Sequence, residues 1–231
     1  TMAQSDKFKR VKPDITPYLF HFTKGENAKE TLETILHEER LCSYSHDFIC
    51  FTASPLTSLF EFFNTKVSRT GLPMYQPFGI GFSRNVMYQH FGARNVIYGS
   101  QKELNMIKTK CPEIAWRCEE LDVERHDIEY LREWRVKGDE FKFDDFDKNE
   151  LLIIADTKEH LKELVEGCDY DIDFEEFEPG ECFPTVIIKK TGKRAFKGIC
   201  LNDAKEMSND YEISGKTSSQ LIEECLDPVL K

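Results

Sequence analysis

The apolar pattern of this chain begins at Tyr18-Leu19-Phe20-His21-Phe22-Thr23, an almost unbroken hydrophobic run carrying one imidazole and one hydroxyl. Such a run predicts a short buried strand. Side chains two residues apart share a strand face, so His21 and Thr23 project together, opposite Phe20 and Phe22. Gly25-Glu26-Asn27 supplies a turn, and Leu32, Ile35 and Leu36 stand at helical spacing, which predicts a helix over 28–39. Leu41 and Cys42 lead into a second strand over 48–52, stopped by Pro55. Leu56, Leu59, Phe60 and Phe63 then fall on one side of a helix over 56–63. The stretch 64–76 is polar, with Gly71 and Pro73, and has the length of a lid or binding loop. Residues 77–84 alternate glycine with apolar side chains, the pattern of a strand approached closely by other backbone.

Further along, the pattern predicts a short helix over 85–91, a strand over 95–98 and helical structure over 101–120, interrupted at Cys111-Pro112. The segment 126–132 leads to a strand at 133–136, where two charges flank a tryptophan. Leu151 to Ala155 is wholly apolar and reads as a fully buried strand, followed by a helix over 158–166. An acidic loop is expected at 169–181, strands at 183–189 and 195–201, and an amphipathic helix from about 218. Residues 1–16 are polar and read as a loose arm. With no repeat and no low-complexity linker, 17–231 reads as one domain carrying an acidic insertion at about 169–181 and a C-terminal helix at about 218–231. Short strands and helices without regular βαβ alternation favour the α+β class over a doubly wound sheet.

Composition narrows the chemistry. Eighteen phenylalanines predict a phenylalanine-rich core. A net charge of −11 argues against a protein that coats nucleic acid through a broad basic face, while leaving room for contact at a local basic patch. The eight cysteines include no CxxC pair and no histidine at ligand spacing, so no zinc site is expected. Free thiols, no secretory signal and no apolar run of membrane-spanning length together give a cytoplasmic setting with no membrane partner as the expectation. The acidic loop lacks the glycine and terminal glutamate of a calcium loop and reads as a solvated insertion or a partner-binding surface.

Three small pieces carry candidate chemistry: His21-Phe22-Thr23, Phe51-Thr52-Ala53-Ser54-Pro55, and Glu133 within Arg132-Glu133-Trp134-Arg135. The plain reading of each is structural: a strand-end histidine held by a backbone carbonyl, a helix start, and a surface ion pair. Tyr75, Tyr88 and Tyr98 are candidates for stacking on a planar ligand, and Trp134 is expected to pack in the core on the side of its strand opposite Glu133.

In this order and with these flanks the pieces resemble the ADP-ribosyltransferase superfamily, in its prokaryotic toxin and phage-defence branches. The opening LFHFT…LETIL is similar to the first motif of the DarT-type DNA ADP-ribosyltransferases. CFTASPLT, PFGIGFSRN, NVIY, EWRV and AFKGICL resemble the abortive-infection AbiGi family and its relatives. The resemblance implies a split mixed β-sheet core with flanking helices and an enzyme using NAD as substrate. It also implies roles: His21 on the adenosine ribose, Thr23 on the adenine side, Thr52 and Ser54 around the nicotinamide ribose and positioning the acid. Glu133 is implied as the catalytic carboxylate, Arg84 as a contact to the pyrophosphate or the target, and Tyr98 as a stacking residue. Two departures stand out. Leu131 occupies the position, two before the acid, where enzymes that modify arginine commonly carry Gln or Glu, which favours a nucleic acid over a protein acceptor. Arg135 shares a strand face with Glu133 and can pair with it. The alternative implied by the same resemblance is a catalytically inactive member of the fold, acting as the partner or antitoxin in a defence pair.

Overall fold

A computed structural model describes residues 16–63, 75–124, 128–144, 146, 150–166, 170–173, 185–190 and 195–203. The architecture is mixed α+β. A nine-stranded sheet runs in the order β11-β12-β13-β10-β4-β1-β3-β8-β5, formed by β1 (Tyr18–Phe22), β3 (Phe48–Thr52), β4 (Gly79–Ser83), β5 (Arg94–Asn95), β8 (Glu133–Lys137), β10 (Leu151–Ala155), β11 (Tyr170–Asp173), β12 (Thr185–Lys190) and β13 (Ala195–Cys200). Within this sheet, among the described residues, only β10 and β13 pair in parallel and the other neighbours are antiparallel. Two small ribbons stand beside it, β2 (Arg40–Cys42) with β9 (Glu140–Lys142), and β6 (Ile97–Gly99) with β7 (Cys118–Glu120).

The strand faces follow the alternation of the sequence. One face carries Leu19, Ile49, Phe51, Ile80, Phe82, Val136, Leu151 and Ile153 against α1 (Ala28–Glu38) and α5 (Lys158–Glu166), with Trp134 packed at its margin. The other carries Tyr18, Phe20, Phe22, Leu152 and Ile154 against Leu56, Leu59, Phe60 and Phe63 of α2 (Leu56–Phe63). The expected phenylalanine core is present: the Phe82 ring meets Phe51, Phe141, Phe143 and Phe146 at centroid distances of 5.2–5.7 Å.

The glycine alternation of β4 has a steric cause. An added Cβ at Gly79 would stand 2.6 Å from both the His21 carbonyl oxygen and the Phe22 ring, and one at Gly81 would stand 2.9 Å from the Phe20 ring. The two rings of β1 lie across β4 in the space its side chains would fill, which holds β1 in place and leaves its opposite edge to β3.

Several elements differ from expectation. The strand predicted at 95–98 is broken at Val96, because Asn95 pairs with Trp134 in the main sheet while Ile97 pairs with Cys118 in the ribbon. The helical stretch predicted to 120 ends with α4 (Gln101–Lys110), closed at its start by a Ser100–Glu103 capping box. Pro112 then opens a 3-10 turn to Arg117, and β7 follows. Part of the expected acidic loop is strand β11, which pairs with β12 and exchanges backbone hydrogen bonds there. Residues 1–15 of the arm, 64–74 of the loop, 126–127 and the C-terminal helix from about 218 lie outside the described residues. Among the described residues no helix is long and apolar enough to cross a membrane.

Candidate active site at the parting of two strands

The site forms where the sheet comes apart. β1 and β3 share a single registered pair, Phe20 opposite Thr52, whereas β1 and β4 pair along all five residues. Past that pair the His21 side chain takes the place of a ladder bond, its Nδ1 donating to the Cys50 carbonyl at 2.9 Å. A carbonyl can only accept, so the proton resides on Nδ1 and Nε2 is left as an acceptor. Burial pushes the His21 pKa below its ordinary value; the Cys50 carbonyl opposes this and nearby Lys24 adds to it. The ring is therefore neutral at pH 7.

The gap opens a cleft lined by Phe20, His21, Phe22 and Lys24 on one side and by Cys50, Phe51, Thr52, Leu131 and Glu133 on the other, with Tyr75 across it. Its enclosed volume is about 40 Å³, within an open depression of about 360 Å³. The enclosed part is far smaller than the ~300–1,000 Å³ typical of small-molecule sites, and the rest of the depression is open to solvent. Strict alternation would place His21 on the reverse face of the sheet from Thr52 and Glu133. Because the strands part beside it, both residues line one cleft.

Glu133 is carried there by a chain of hydrogen bonds. β8 pairs with β3 along five residues, setting Glu133 directly opposite Thr52. The Thr52 hydroxyl donates to the Leu131 carbonyl and accepts from the Ser54 backbone N–H at 3.1 Å. The Ser54 hydroxyl donates to the Tyr130 carbonyl, and the Ala53 N–H donates to the Arg132 carbonyl at 3.2 Å. These bonds clasp a 3-10 turn, Glu129–Leu131, that ends in Arg132 with φ of 47°. A left-handed non-glycine residue costs ~1–2 kcal/mol, so the clasp holds a strained turn immediately before the acid.

Arg135, only 4% exposed, governs the electrostatics. Its Nε donates to Glu133 Oε1 at 2.7 Å and its Nη2 to Glu119 Oε2 at 2.6 Å, while Nη1 donates to the Trp116 carbonyl at 2.9 Å. The guanidinium also lies over the Phe48 ring, 4.0 Å from its centroid. Burial disfavours its charge, but the two carboxylates outweigh burial and hold its pKa above the ordinary arginine value. Around the cleft, burial and then the Glu133 charge push the Cys50 thiol up to about 12 and raise the Tyr75 phenol. Lys24 Nζ stands 5.3 Å from the Tyr75 ring centroid.

The expected site residues divide. His21, Thr52 and Glu133 line the cleft. Tyr98 does not line it: its phenol is pushed up to about 12 by burial and by the charge of Glu133, and among the described residues its buried hydroxyl has no hydrogen-bond partner. The Glu133 backbone lies on that side of the phenol but outside hydrogen-bonding geometry. Three further expected contacts also do not line the cleft. Ser54 is 1% exposed and spends its hydroxyl on Tyr130. Thr23 is 3% exposed, and both its N–H and its hydroxyl donate to the Phe78 carbonyl, which fixes the end of β1. Arg84 opens α3 (Arg84–Gln89) directly after Ser83, which pairs with Tyr18, three residues along β1 from His21. That is a separation of about 10 Å along the strand. The cation at the cleft is Lys24 instead. Lys24 and Cys50 were not singled out from sequence, although Cys50 shares a strand face with Thr52 and Lys24 directly follows the opening motif. Nothing in the sequence pointed to Glu119.

No protein-family model, curated protein or solved structure matches this chain. Among the described residues no group of His, Cys, Asp and Glu is placed to hold a metal ion.

Proposed function

We propose that this chain binds NAD in the cleft between β1 and β3 and transfers ADP-ribose from it to a macromolecular acceptor. The observation that supports this reading most is the shared cleft: an ionisable carboxylate from β8 and a neutral imidazole from β1 meet at a gap in one sheet, although strand parity alone would separate them. The groups present suit a dinucleotide. His21 Nε2 accepts from a ribose hydroxyl, Tyr75 offers aromatic surface, and Lys24 offers a cation to phosphate. Cleavage of the bond between ribose C1′ and nicotinamide sends the electron pair out with nicotinamide and develops positive charge on the ribose. A fixed anion at Glu133 stabilises charge that exists only in that transition state. The acceptor's nucleophile then bonds to C1′, and Glu133 takes its proton. Leu131, which lines the cleft two residues before the acid, offers no hydrogen bond to a guanidinium acceptor and keeps a nucleic acid acceptor ahead of a protein one.

The ion pair of Glu133 with Arg135 favours a second reading, a binding module of the same fold that has lost turnover and serves as the partner or antitoxin of a toxin. The two are separated by following nicotinamide release and melting temperature together at millimolar NAD. The proposal expects NAD to raise the melting temperature, nicotinamide to be released, and Glu133→Gln to keep the shift while abolishing release. A thermal shift without release selects the binding module. Neither effect removes NAD from the account. Labelled NAD offered separately with DNA, RNA and cell extract identifies the acceptor by the fraction that retains label.

A further inference from the structure

Arg135 is tied to more than Glu133, and this changes what the ion pair means. Its guanidinium is anchored by the Trp116 carbonyl, by the Phe48 ring and by Glu119, a second carboxylate delivered by β7 from the neighbouring ribbon. The Glu133 side chain is 13% exposed and that of Glu119 is 35% exposed, on either side of a guanidinium only 5% exposed. Two anions therefore share one cation, and the cluster keeps one net negative charge. The bond to Glu133 uses Oε1 and Nε alone, so it fixes the carboxylate's rotamer without occupying both oxygens.

We propose that Glu119 is a positioning residue: by occupying the Nη2 side of Arg135 it divides the guanidinium's charge, so that Glu133 is held in orientation by Arg135 but not neutralised by it. Without Glu119 the pair Glu133–Arg135 is closed and carries no net charge. With it, the same arginine acts as a rigid bracket, and the surplus negative charge faces the cleft. The inference rests on the reading of Glu133 as the acid that stabilises positive charge. The other titratable groups facing Glu133 are His21 and Lys24 from β1 and the turn after it, Cys50 from β3, Tyr75 and Tyr98. None of them contacts Arg135 through a hydrogen bond among the described residues.

The test uses the full chain and the variant Glu119→Gln, whose amide oxygen still accepts from Arg135 Nη2 while the charge is gone. The first readout needs no turnover: the Glu133 carboxylate is titrated by NMR on protein with ¹³C-labelled glutamate, assigned with Glu133→Gln. The expected result is that Glu119→Gln moves the Glu133 titration to lower pH, because the whole guanidinium now acts on it. An unmoved titration overturns the proposal. The second readout is nicotinamide release from NAD. At an effective dielectric constant near ~20, a unit charge several ångströms away alters a charged transition state by roughly tenfold or more in rate. The expected result is such a fall in kcat with KM for NAD within about twofold, and an acid limb displaced to lower pH. Glu119→Asp, which returns the charge, restores part of the rate. A Glu119→Gln variant with wild-type kcat and an unmoved acid limb overturns the proposal while leaving the NAD reading intact. A wild type that neither binds NAD nor releases nicotinamide defeats that reading, and the titration still decides the role of Glu119.

Discussion

The clasp beneath Glu133 offers the most direct test of how the site is built. Thr52→Val keeps the shape of the side chain and removes its hydroxyl. Two backbone groups lose their partner at once, the Leu131 carbonyl and the Ser54 N–H, at a residue only 4% exposed. A buried polar group left unsatisfied costs ~1–3 kcal/mol. The pair together should cost about 2–4 kcal/mol, a large share of the ~5–15 kcal/mol that stabilises an ordinary domain. Equilibrium unfolding in urea, followed by the fluorescence of Trp134 and Trp116, should show the midpoint lowered by about 1 M or more. Thr52→Ser returns the hydroxyl and should recover most of the loss. The same bonds hold the turn that carries the left-handed Arg132, so under the proposed function Thr52→Val should also weaken the thermal shift expected from NAD. A Thr52→Val midpoint equivalent to a change below ~0.5 kcal/mol refutes the clasp as the device that sets Glu133.

Other expectations follow from the same geometry. Gly79→Ala drives a Cβ to 2.6 Å from the His21 carbonyl oxygen and the Phe22 ring, whereas at Gly99 the nearest atom is 3.4 Å away, at the end of a glutamate side chain. The first variant should lose at least ~1–3 kcal/mol and the second little, and equal urea midpoints would contradict the close approach. The folded-state pKa of His21 lies below the unfolded value, so its neutral form contributes stability in full above about pH 6.5. That contribution is lost as the pH falls from there through the lowered pKa. Denaturation at pH 7.5 and pH 5 should show a steeper acid loss for the wild type than for His21→Gln, and parallel losses would argue against a buried ring. Cys50, with its thiol raised to about 12, should react slowly with iodoacetamide at pH 8 although it reaches the surface. Glu133→Gln removes the charge that contributes to that shift and should speed the reaction, read by peptide mass mapping; an unchanged rate would place the carboxylate elsewhere.

Local sequence determined those parts of this protein whose cause is local. Apolar runs, period-two alternation and helical spacing determine β1, β3, β4, β8, β10 and the helices α1, α2 and α5, because apolar side chains must find a covered face wherever they lie. The glycines of β4 announce a close approach because a missing Cβ is a local fact with a steric meaning, and Pro112 ends a helix through its own ring. The pairing of the short strands was illegible for the opposite reason: 95–98 reads as one strand that only the arrival of β8 and β7 divides between the main sheet and a ribbon, and three-residue strands such as β2, β7 and β9 have no period to read.

The site divides in the same way. His21, Thr52 and Glu133 can be named from sequence as chemistry-bearing residues, but alternation would put the imidazole on the other face from the acid. Only the parting of β1 from β3 after a single registered pair brings them into one cleft. That parting is set by what each strand packs against, β1 by the glycines of β4 and β3 by its five-residue ladder with β8. Likewise Arg135 can be foreseen as a partner of Glu133, two residues away on one strand. Glu119 cannot, because it reaches the same guanidinium through β7 from outside the main sheet. Charge balance in a buried cluster is a sum over groups from distant parts of the chain, and tertiary structure alone performs that sum.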